Sequence, residues 1–252
     1  MQFLIRHVRG IIYFITAGLA LSIYVAQTTN GAPADQQYLA LTQDYAIAAL
    51  TFLYLTLLIS PVYLNFPLLP FRGIVMHSRR ALGLSAFFFS ILHTYYAFFK
   101  LLLGFPGLRF LGSDYILGIS TSFAALIILT ALAVTSFDYA EKYLGNKWKI
   151  IHRFVYLAGF LIIFHTLLLG SDFASFSSLT SEISSILLIV LLSLEATRFD
   201  RYFATKFSGA PRFGPGSLIV SVIIVLILLS FVAPSSPLGS LNVHAKHLRE
   251  AQ

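Results

Sequence analysis

The sequence predicts an all-α polytopic membrane protein, in which a bundle of six helices is followed by a seventh transmembrane helix. Hydrophobic residues make up 58% of the 252 residues and charged residues only 11%, whereas soluble domains carry about 25% charged residues. Long apolar segments recur along the chain, and a helix needs about 17–25 such residues to cross a bilayer. Pro and Gly, which are typical of loops, lie between these segments.

Seven apolar segments are predicted to span the membrane, at 10–26, 44–64, 80–103, 115–137, 149–169, 183–199 and 217–233. The first follows Arg6 and Arg9 and could be a cleavable signal peptide, but the first span of a polytopic protein has the same pattern and is commoner. The loop residues between the segments are, in order, Gly31 and Pro33, Pro67 and Pro70, Pro106 and Gly107, Gly145, Gly170, and Pro211, Pro215 and Gly216.

Lys and Arg are unequally distributed between the two predicted sides of the membrane. Positively charged loops remain cytoplasmic, so this inequality predicts a cytoplasmic N-terminus and, with seven spans, an outer C-terminal tail. The net charge of +7 therefore reflects topology, and we predict no nucleic-acid partner. Of the 17 basic residues, 13 fall on the same predicted side of the membrane as the N-terminus: Arg6, Arg9, Arg72, Arg79, Arg80, Lys142, Lys147, Lys149, Arg153, Arg198, Arg201, Lys206 and Arg212.

The chain has no cysteine, which excludes disulfides, iron–sulfur clusters and Cys-ligated zinc.

Two histidines, His93 and His165, lie in the middle of the predicted third and fifth spans. An ionisable group inside a membrane is costly and indicates a functional site, and we expect no other ionisable residue at that depth. Both spans run outward, and His93 is 13 residues past Arg80, about 20 Å from the cytoplasmic end. His165 lies at nearly the same depth. The pair predicts axial ligation of a haem iron, and the alternative is a hydrogen bond from each ring to a neighbouring helix.

His152 lies at the cytoplasmic end of the fifth span, beside Lys149 and Arg153. It could be a second haem ligand, a contact to a flavin, a quinone or a haem propionate, or an ordinary interfacial histidine. Its spacing of 13 residues from His165 places the two rings on different faces of an ideal helix. They would share a face only if the helix were distorted, which Gly159 could permit.

Three arginines, Arg72, Arg79 and Arg80, cluster at the cytoplasmic end of the third span. Arg79 shares a helix face with His93, at the position where a second, inner haem would need its ligand. Arginine does not ligate iron but suits phosphate and carboxylate. The cluster could reflect topology and anionic lipid, or it could bind a flavin phosphate beside His152. A further charged group ends the sixth span and is predicted to be a solvated ion-pair cluster: Glu195, Arg198, Asp200 and Arg201.

Two segments of the chain resemble the ferric-reductase-like transmembrane family. They are Ser78-Arg-Arg-Ala-Leu-Gly-Leu followed by Leu92-His93, and Trp148-Lys-Ile-Ile-His152-Arg-Phe-Val-Tyr156-Leu-Ala-Gly followed by His165. Within that family, the chain is most similar to the haem-binding membrane subunits of bacterial periplasmic methionine sulfoxide reductase systems. The resemblance predicts a ferric-reductase-like transmembrane domain at 1–205. An additional C-terminal transmembrane helix and a polar outer tail are then expected at 206–252.

This resemblance implies a haem b between spans three and five, with His93 and His165 as the axial ligands of its iron. It assigns Arg79, Arg80 and His152 to an inner cofactor, which is a flavin (FMN or FAD) or a quinone. The implied function is transmembrane electron transfer, by a subunit of an oxidoreductase system in the bacterial inner (plasma) membrane. We expect no soluble flavin/NADPH-binding domain, so the donor is a cytoplasmic flavin reductase or quinol. The expected acceptor is a periplasmic oxidoreductase such as methionine sulfoxide reductase, and no residue is predicted to be catalytic.

Two other functions are compatible with the same residues. A ferric chelate or oxygen could be the acceptor, in which case the chain is the membrane component of a ferric or oxygen reductase. From a different class, a cofactor-free transporter could use the intramembrane histidines as a proton relay. A b-type difference spectrum of the purified protein would separate the electron carriers from the transporter.

Overall fold

The computed structural model describes residues 2–170 and 179–206. These residues form helices joined by short turns, and they contain no β-strand. A π-helix of seven residues, Tyr95–Leu101, directly follows the third α-helix. The α-helices are α1 (Gln2–Thr28), α2 (Ala34–Asn65), α3 (Arg72–Thr94), α4 (Phe105–Leu108), α5 (Ser113–Val134), α6 (Asp138–Leu144), α7 (Asn146–Leu169) and α8 (Leu179–Lys206).

Five of these helical segments are long and apolar enough to cross a membrane, in agreement with the predicted all-α polytopic membrane protein. They are Ile5–Thr28, Ala34–Asn65, Arg72–Leu101, Tyr115–Val134 and Asn146–Leu169. The sixth predicted span, 183–199, lies within α8, which is not one of the five. The seventh, 217–233, lies outside the described residues, as does the predicted extension from 207 onward.

Two helices begin well before the predicted spans. Helix α2 begins at Ala34, ten residues before the predicted start at 44, and α3 begins at Arg72 rather than at 80. The prediction counted apolar residues, whereas a helix also continues through the polar turns that lie near the lipid headgroups. Consequently Asp44 and Arg79, which were predicted to lie at the edge of a span or outside it, are both inside helices.

Helix α2 forms the centre of the bundle and packs against α1, α3 and α8. Leu41 of α2 and Phe89 of α3 are fully buried, and the rings of Phe52 and Phe89 stack with centroids 5.5 Å apart. Polar contacts fix the neighbouring helices, since the Tyr45 hydroxyl donates to the carbonyl oxygen of Ala20, at 3.2 Å. These contacts hold α1, α2 and α3 as one layer.

Helices α5 and α7 form a second pair, packed closely along their length. Ala158 of α7 is fully buried against Leu129 and Leu132 of α5. Near the other end of the pair, Gly118 of α5 lies against Leu169 of α7, and a Cβ added to Gly118 would be 2.7 Å from Leu169 Cγ. The absence of a side chain at Gly118 therefore lets the two backbones approach.

Candidate functional site

The two intramembrane histidines face each other across the space between α3 and α7. The ring centroids of His93 and His165 are 6.2 Å apart, and their planes are inclined at 74°. His93 occupies the last turn of α3, immediately before the π-helix. Because π-helical turns are rare and concentrate at functional sites, the helix irregularity beside His93 is consistent with a specialised position. The structure thus brings the two rings close together, and their role as iron ligands stays a prediction.

Each histidine ring is hydrogen-bonded to a backbone carbonyl of a neighbouring helix, which is α2 for His93 and α5 for His165. Nδ1 of His93 is 2.9 Å from the carbonyl oxygen of Thr42 in α2, and Nδ1 of His165 is 2.9 Å from that of Gly118 in α5. A carbonyl oxygen only accepts hydrogen bonds, so Nδ1 carries the proton in both rings. Nε2 is then the unprotonated nitrogen, which is the form that binds a metal, and the carbonyl bond fixes the ring orientation.

The separation of the rings fits a metal held between them. A metal–imidazole bond is about 2 Å long, so nitrogens on opposite sides of one ion lie about 4 Å apart and the ring centroids about 6 Å apart. No group of three or more His, Cys, Asp and Glu residues that could hold a metal ion occurs within the described ranges. Two imidazoles therefore suit a metal that brings most of its own ligands, as haem iron does.

Both histidines line a large cavity between the two helix layers. Its volume is about 1100 Å³, compared with roughly 300–1,000 Å³ for most small-molecule sites. Its wall is mainly apolar and comes from α2, α3, α5, α7 and α8, with several hydroxyl groups, the amide of Gln43 and the carboxylate of Asp35 among the lining groups. Representative lining residues are Leu53, Ala86, Phe123, Ile162 and Leu191. A large, flat, mostly apolar group would fit this environment.

Another ionisable residue, Asp44, lies at the level of the histidine pair, contrary to our expectation from the sequence. The carbonyl of Thr42 contacts His93, and Asp44 is two residues further along α2, a rise of about 3 Å. Its Oδ2 atom accepts a hydrogen bond from the Gln27 side chain, at 2.8 Å. The expectation was wrong because the predicted span began at 44, so Asp44 was placed at the membrane edge.

His152 packs against the only tryptophan of the chain, at the opposite end of α7 from His165. The rings of Trp148 and His152 stack with centroids 4.0 Å apart. Nε2 of His152 is 3.2 Å from the hydroxyl of Thr135, and the indole N–H of Trp148 donates to the Thr135 carbonyl at 2.8 Å. These contacts fix the end of α5 against the start of α7. They do not bring His152 to the histidine pair.

Arg80 belongs to the same end of the bundle and is already paired with acidic residues. Its two terminal nitrogens contact the carboxylates of Asp138 and Glu141 in α6. Its guanidinium carbon lies 5.9 Å from the centroid of the Trp148 ring. The carboxylates of α6 thus occupy the guanidinium fork that was predicted to bind the inner cofactor.

Arg79 points to a different part of the protein from its neighbour Arg80. Its Nε donates to the carbonyl oxygen of Thr56, at 3.2 Å. The ionisable groups that interact with it electrostatically are on α7 and α8: Tyr156, Arg198 and Glu195. Successive residues on a helix are rotated by about 100°, so the two arginines cannot be equivalent members of one site. His152 lies within electrostatic range of both.

A network around Tyr156 was not predicted from the sequence. The Tyr156 hydroxyl donates to Glu195 Oε1 at 3.2 Å and accepts from Arg198 Nη1 at 2.8 Å. Arg198 and Glu195 are also 3.6 Å apart, and the Glu195 side chain is only 19% exposed. Glu195 is therefore a half-buried member of an interhelical network, not part of a solvated cluster. The sequence signal was the charge pair itself, but nothing in it identified Tyr156 as the partner.

The fold and the site together define a helical membrane protein with two facing, carbonyl-anchored imidazoles inside the bilayer. Three relatives with significant similarity share the name "Protein-methionine-sulfoxide reductase heme-binding subunit MsrQ". The relative from an Enterobacter species is 40% identical over 124 residues, covering 47% of this chain and 58% of the relative. The relatives from Salmonella paratyphi B and Salmonella newport are each 38% identical over 124 residues, which again cover 47% of this chain and 58% of the relative.

This similarity confirms the resemblance that was predicted from the two motif segments. The chain spans just over half the length of the curated relatives it matches. No family model matches the chain, and no solved structure matches it.

Proposed function

We propose that this chain is the membrane subunit of an electron-transfer system and that His93 and His165 are the axial ligands of a haem b. The observation that carries the proposal is the facing of the two rings at 6.2 Å, with Nδ1 of each bonded to a backbone carbonyl. The relatives' printed name, a haem-binding subunit, supports the same cofactor. When bound, the haem would supply one-electron chemistry, and the chain would hold it, orient it and shield it in lipid.

The direction of transfer follows from the proposed topology. We place the protein in a bacterial inner membrane with a cytoplasmic N-terminus, because the basic residues concentrate on that side. The donor is a cytoplasmic flavin reductase or a quinol, and the acceptor is an oxidoreductase at the outer face. A methionine sulfoxide reductase is the acceptor that the relatives' name suggests.

An inner cofactor, flavin or quinone, lies in this proposal between the cytoplasmic surface and the histidine pair. Arg79 and His152 are its proposed contacts. Arg80 is now the weaker candidate, because its guanidinium is paired with Asp138 and Glu141. We also propose that residues 206–252 add a C-terminal transmembrane helix and a polar outer tail to the six-helix domain at 1–205.

The test is cofactor analysis of the purified protein and of single histidine variants. The unsubstituted protein should show a sharp reduced-minus-oxidised b-type spectrum, with haem at a fixed ratio to polypeptide. His93→Ala and His165→Ala should each abolish haem binding. His77→Ala is the matched control, since Nδ1 of His77 is hydrogen-bonded to the carbonyl oxygen of Gly73 within its own helix. Haem retained in both ligand variants would disprove the assignment.

A further inference from the structure

The polar network that joins Tyr156 of α7 to Glu195 and Arg198 of α8 has the composition of a proton-accepting site, and this inference depends on the proposed function. We propose that Glu195, acting through the hydroxyl of Tyr156, accepts the protons of a reduced ring donor whose oxygen atoms are bound by Arg79. The donor is a planar ring that gives up two electrons and two protons, either a hydroquinone or a reduced flavin.

Arg79 of α3 lies within electrostatic range of Tyr156, Arg198 and Glu195, and it has hydrogen-bond donors left for a ligand. Nε donates to Thr56, and among the residues at 2–170 and 179–206 the terminal nitrogens of Arg79 make no hydrogen bond. A guanidinium has five N–H donors and no acceptor, so the remaining donors suit carbonyl, phenolate or phosphate oxygens. Thr56 is 14 residues from Thr42 along α2, so this site is about 21 Å inward of the histidine pair.

Tyr156 is the group that can contact the donor directly. Its oxygen has two acceptor sites, and the bond from Arg198 uses one, so an O–H or N–H of the donor can use the other. The residue is 39% exposed, so a lipid-soluble molecule can approach it. Along α7, Tyr156 is nine residues from His165, about 13–14 Å, so it lies between the inner surface and the pair.

Glu195 supplies the base. It accepts the Tyr156 hydroxyl proton in the hydrogen bond, and the charged groups that face the network from each helix are Arg79, Arg198 and Glu195 itself. Arg198 lies 3.6 Å from Glu195 and its side chain is 46% exposed, so the network extends from the half-buried carboxylate towards the surface.

The step balances in protons and electrons. As each donor proton moves to the Tyr156 oxygen, the Tyr156 proton moves to Glu195, and one electron leaves the donor. Two such steps convert a hydroquinone into a quinone, two protons and two electrons. The donor loses one electron per step, and a haem held by His93 and His165 would supply the one-electron acceptor, provided that the proposed outer acceptor takes the first electron before the second step. Because a carboxylate holds one proton, Glu195 releases the first proton to the cytoplasmic side before it accepts the second, which follows the same route.

The experiment measures haem reduction in purified full-length protein by duroquinol, by reduced FMN and by dithionite. Glu195→Gln keeps the size of the side chain but cannot accept the proton, so duroquinol or reduced FMN should reduce the haem roughly 100-fold more slowly, the usual effect of a lost base. Dithionite reduction should be unchanged. Glu182→Gln, an exposed acid in the first turn of the same helix, is the matched control and should behave as the unsubstituted protein.

The donor arms identify the source of the protons. A loss confined to duroquinol assigns a hydroquinone, a loss confined to reduced FMN assigns a flavin, and either result supports Glu195 as the acceptor. If Glu195→Gln does not fold, Tyr156→Phe replaces it, with the exposed Tyr139→Phe as its control. Unchanged rates with both donors, in protein that carries haem, would overturn the inference while leaving the proposed function intact.

A binding measurement tests Arg79 without depending on haem. Trp148 is the only tryptophan, and it stacks on His152, one helical turn from Tyr156. Duroquinone should quench its fluorescence on binding. Arg79→Gln should raise the Kd by roughly tenfold, as expected for a lost charge-assisted hydrogen bond, whereas Glu195→Gln should leave it within about twofold. An Arg79→Gln protein that binds duroquinone as tightly as the unsubstituted protein would refute the ligand site.

Discussion

Gly118 of α5 lies directly against Leu169 of α7, and this contact is coupled to the orientation of His165. A Cβ on Gly118 would be 2.7 Å from Leu169 Cγ, while the carbonyl oxygen of Gly118 is 2.9 Å from Nδ1 of His165. One residue therefore both sets the spacing of the two helices and fixes one imidazole. A change in that spacing would move the carbonyl away from the ring.

Gly118→Ala is expected to weaken haem retention and lower stability. The added methyl group overpacks the α5–α7 contact, which costs about 1–3 kcal/mol, and separates the carbonyl from His165. Haem content per polypeptide and the thermal unfolding midpoint in detergent measure the effect. Gly18→Ala is the control, because a Cβ at Gly18 meets nothing within 4 Å. The double variant with Leu169→Ala should recover haem, and failure to recover it would contradict the steric explanation.

Replacing one proposed axial histidine with methionine should change the redox potential while keeping the haem. A methionine axial ligand raises the potential of haem iron, and a shift of roughly 100 mV is modest against the range of about 0.8 V that haem environments set. His165→Met and His93→Met should therefore bind haem with a higher midpoint potential, measured by redox titration of the b-type band. A midpoint equal to that of the unsubstituted protein in both variants would mean that neither ring ligates the iron.

Five of the seven predicted spans, and the proximity of His93 to His165, could be predicted because they depend on regular helix geometry. Apolar length locates a span, and a rise of 1.5 Å per residue gives His93 and His165 a common depth. The carbonyls of Thr42 and Gly118 could not be predicted, since they come from helices whose packing the sequence does not specify. Hydropathy also placed the start of α2 too late, and so it missed the depth of Asp44.

The inner site was harder to predict because its partners come from distant parts of the chain. Arg79 and Arg80 are adjacent in sequence, so they were assigned to one anion pocket. In the structure, α6 supplies Asp138 and Glu141 to Arg80, whereas α7 and α8 surround Arg79. Only the packing of a short connecting helix distinguishes the two arginines, and nothing in the sequence indicated which arginine α6 would meet.

Arg80→Gln is expected to lower stability in a salt-dependent manner without loss of haem. The variant loses both carboxylate contacts and the position over Trp148, and a partly exposed ion-pair network of this kind contributes about 1 kcal/mol. The loss of stability should be smaller in about 1 M salt than in about 0.05 M salt, because salt screens exposed charges. The measurement is thermal unfolding followed by Trp148 fluorescence.

The control for Arg80 is Arg79→Gln, whose guanidinium makes no ion pair closer than 4 Å within the described part of the chain. Its effect on stability should not depend on salt in the same way. Equal salt dependence in the two variants would contradict the assignment of Arg80 to the α6 network.

His152→Ala should leave the haem of the histidine pair in place. His152 is 13 residues from His165 on one helix, about 20 Å along its axis, and its Nε2 is already hydrogen-bonded to Thr135. It cannot reach the metal held between the other two rings. The b-type difference spectrum should therefore keep its amplitude, while reduction by duroquinol or reduced FMN slows, since the ring packs next to the proposed inner site.

Trp148→Phe is the matched control for His152→Ala, because it keeps an aromatic ring for stacking and removes only the N–H hydrogen bond to Thr135. A His152→Ala protein without any haem would show that the iron ligands have been assigned to the wrong residues.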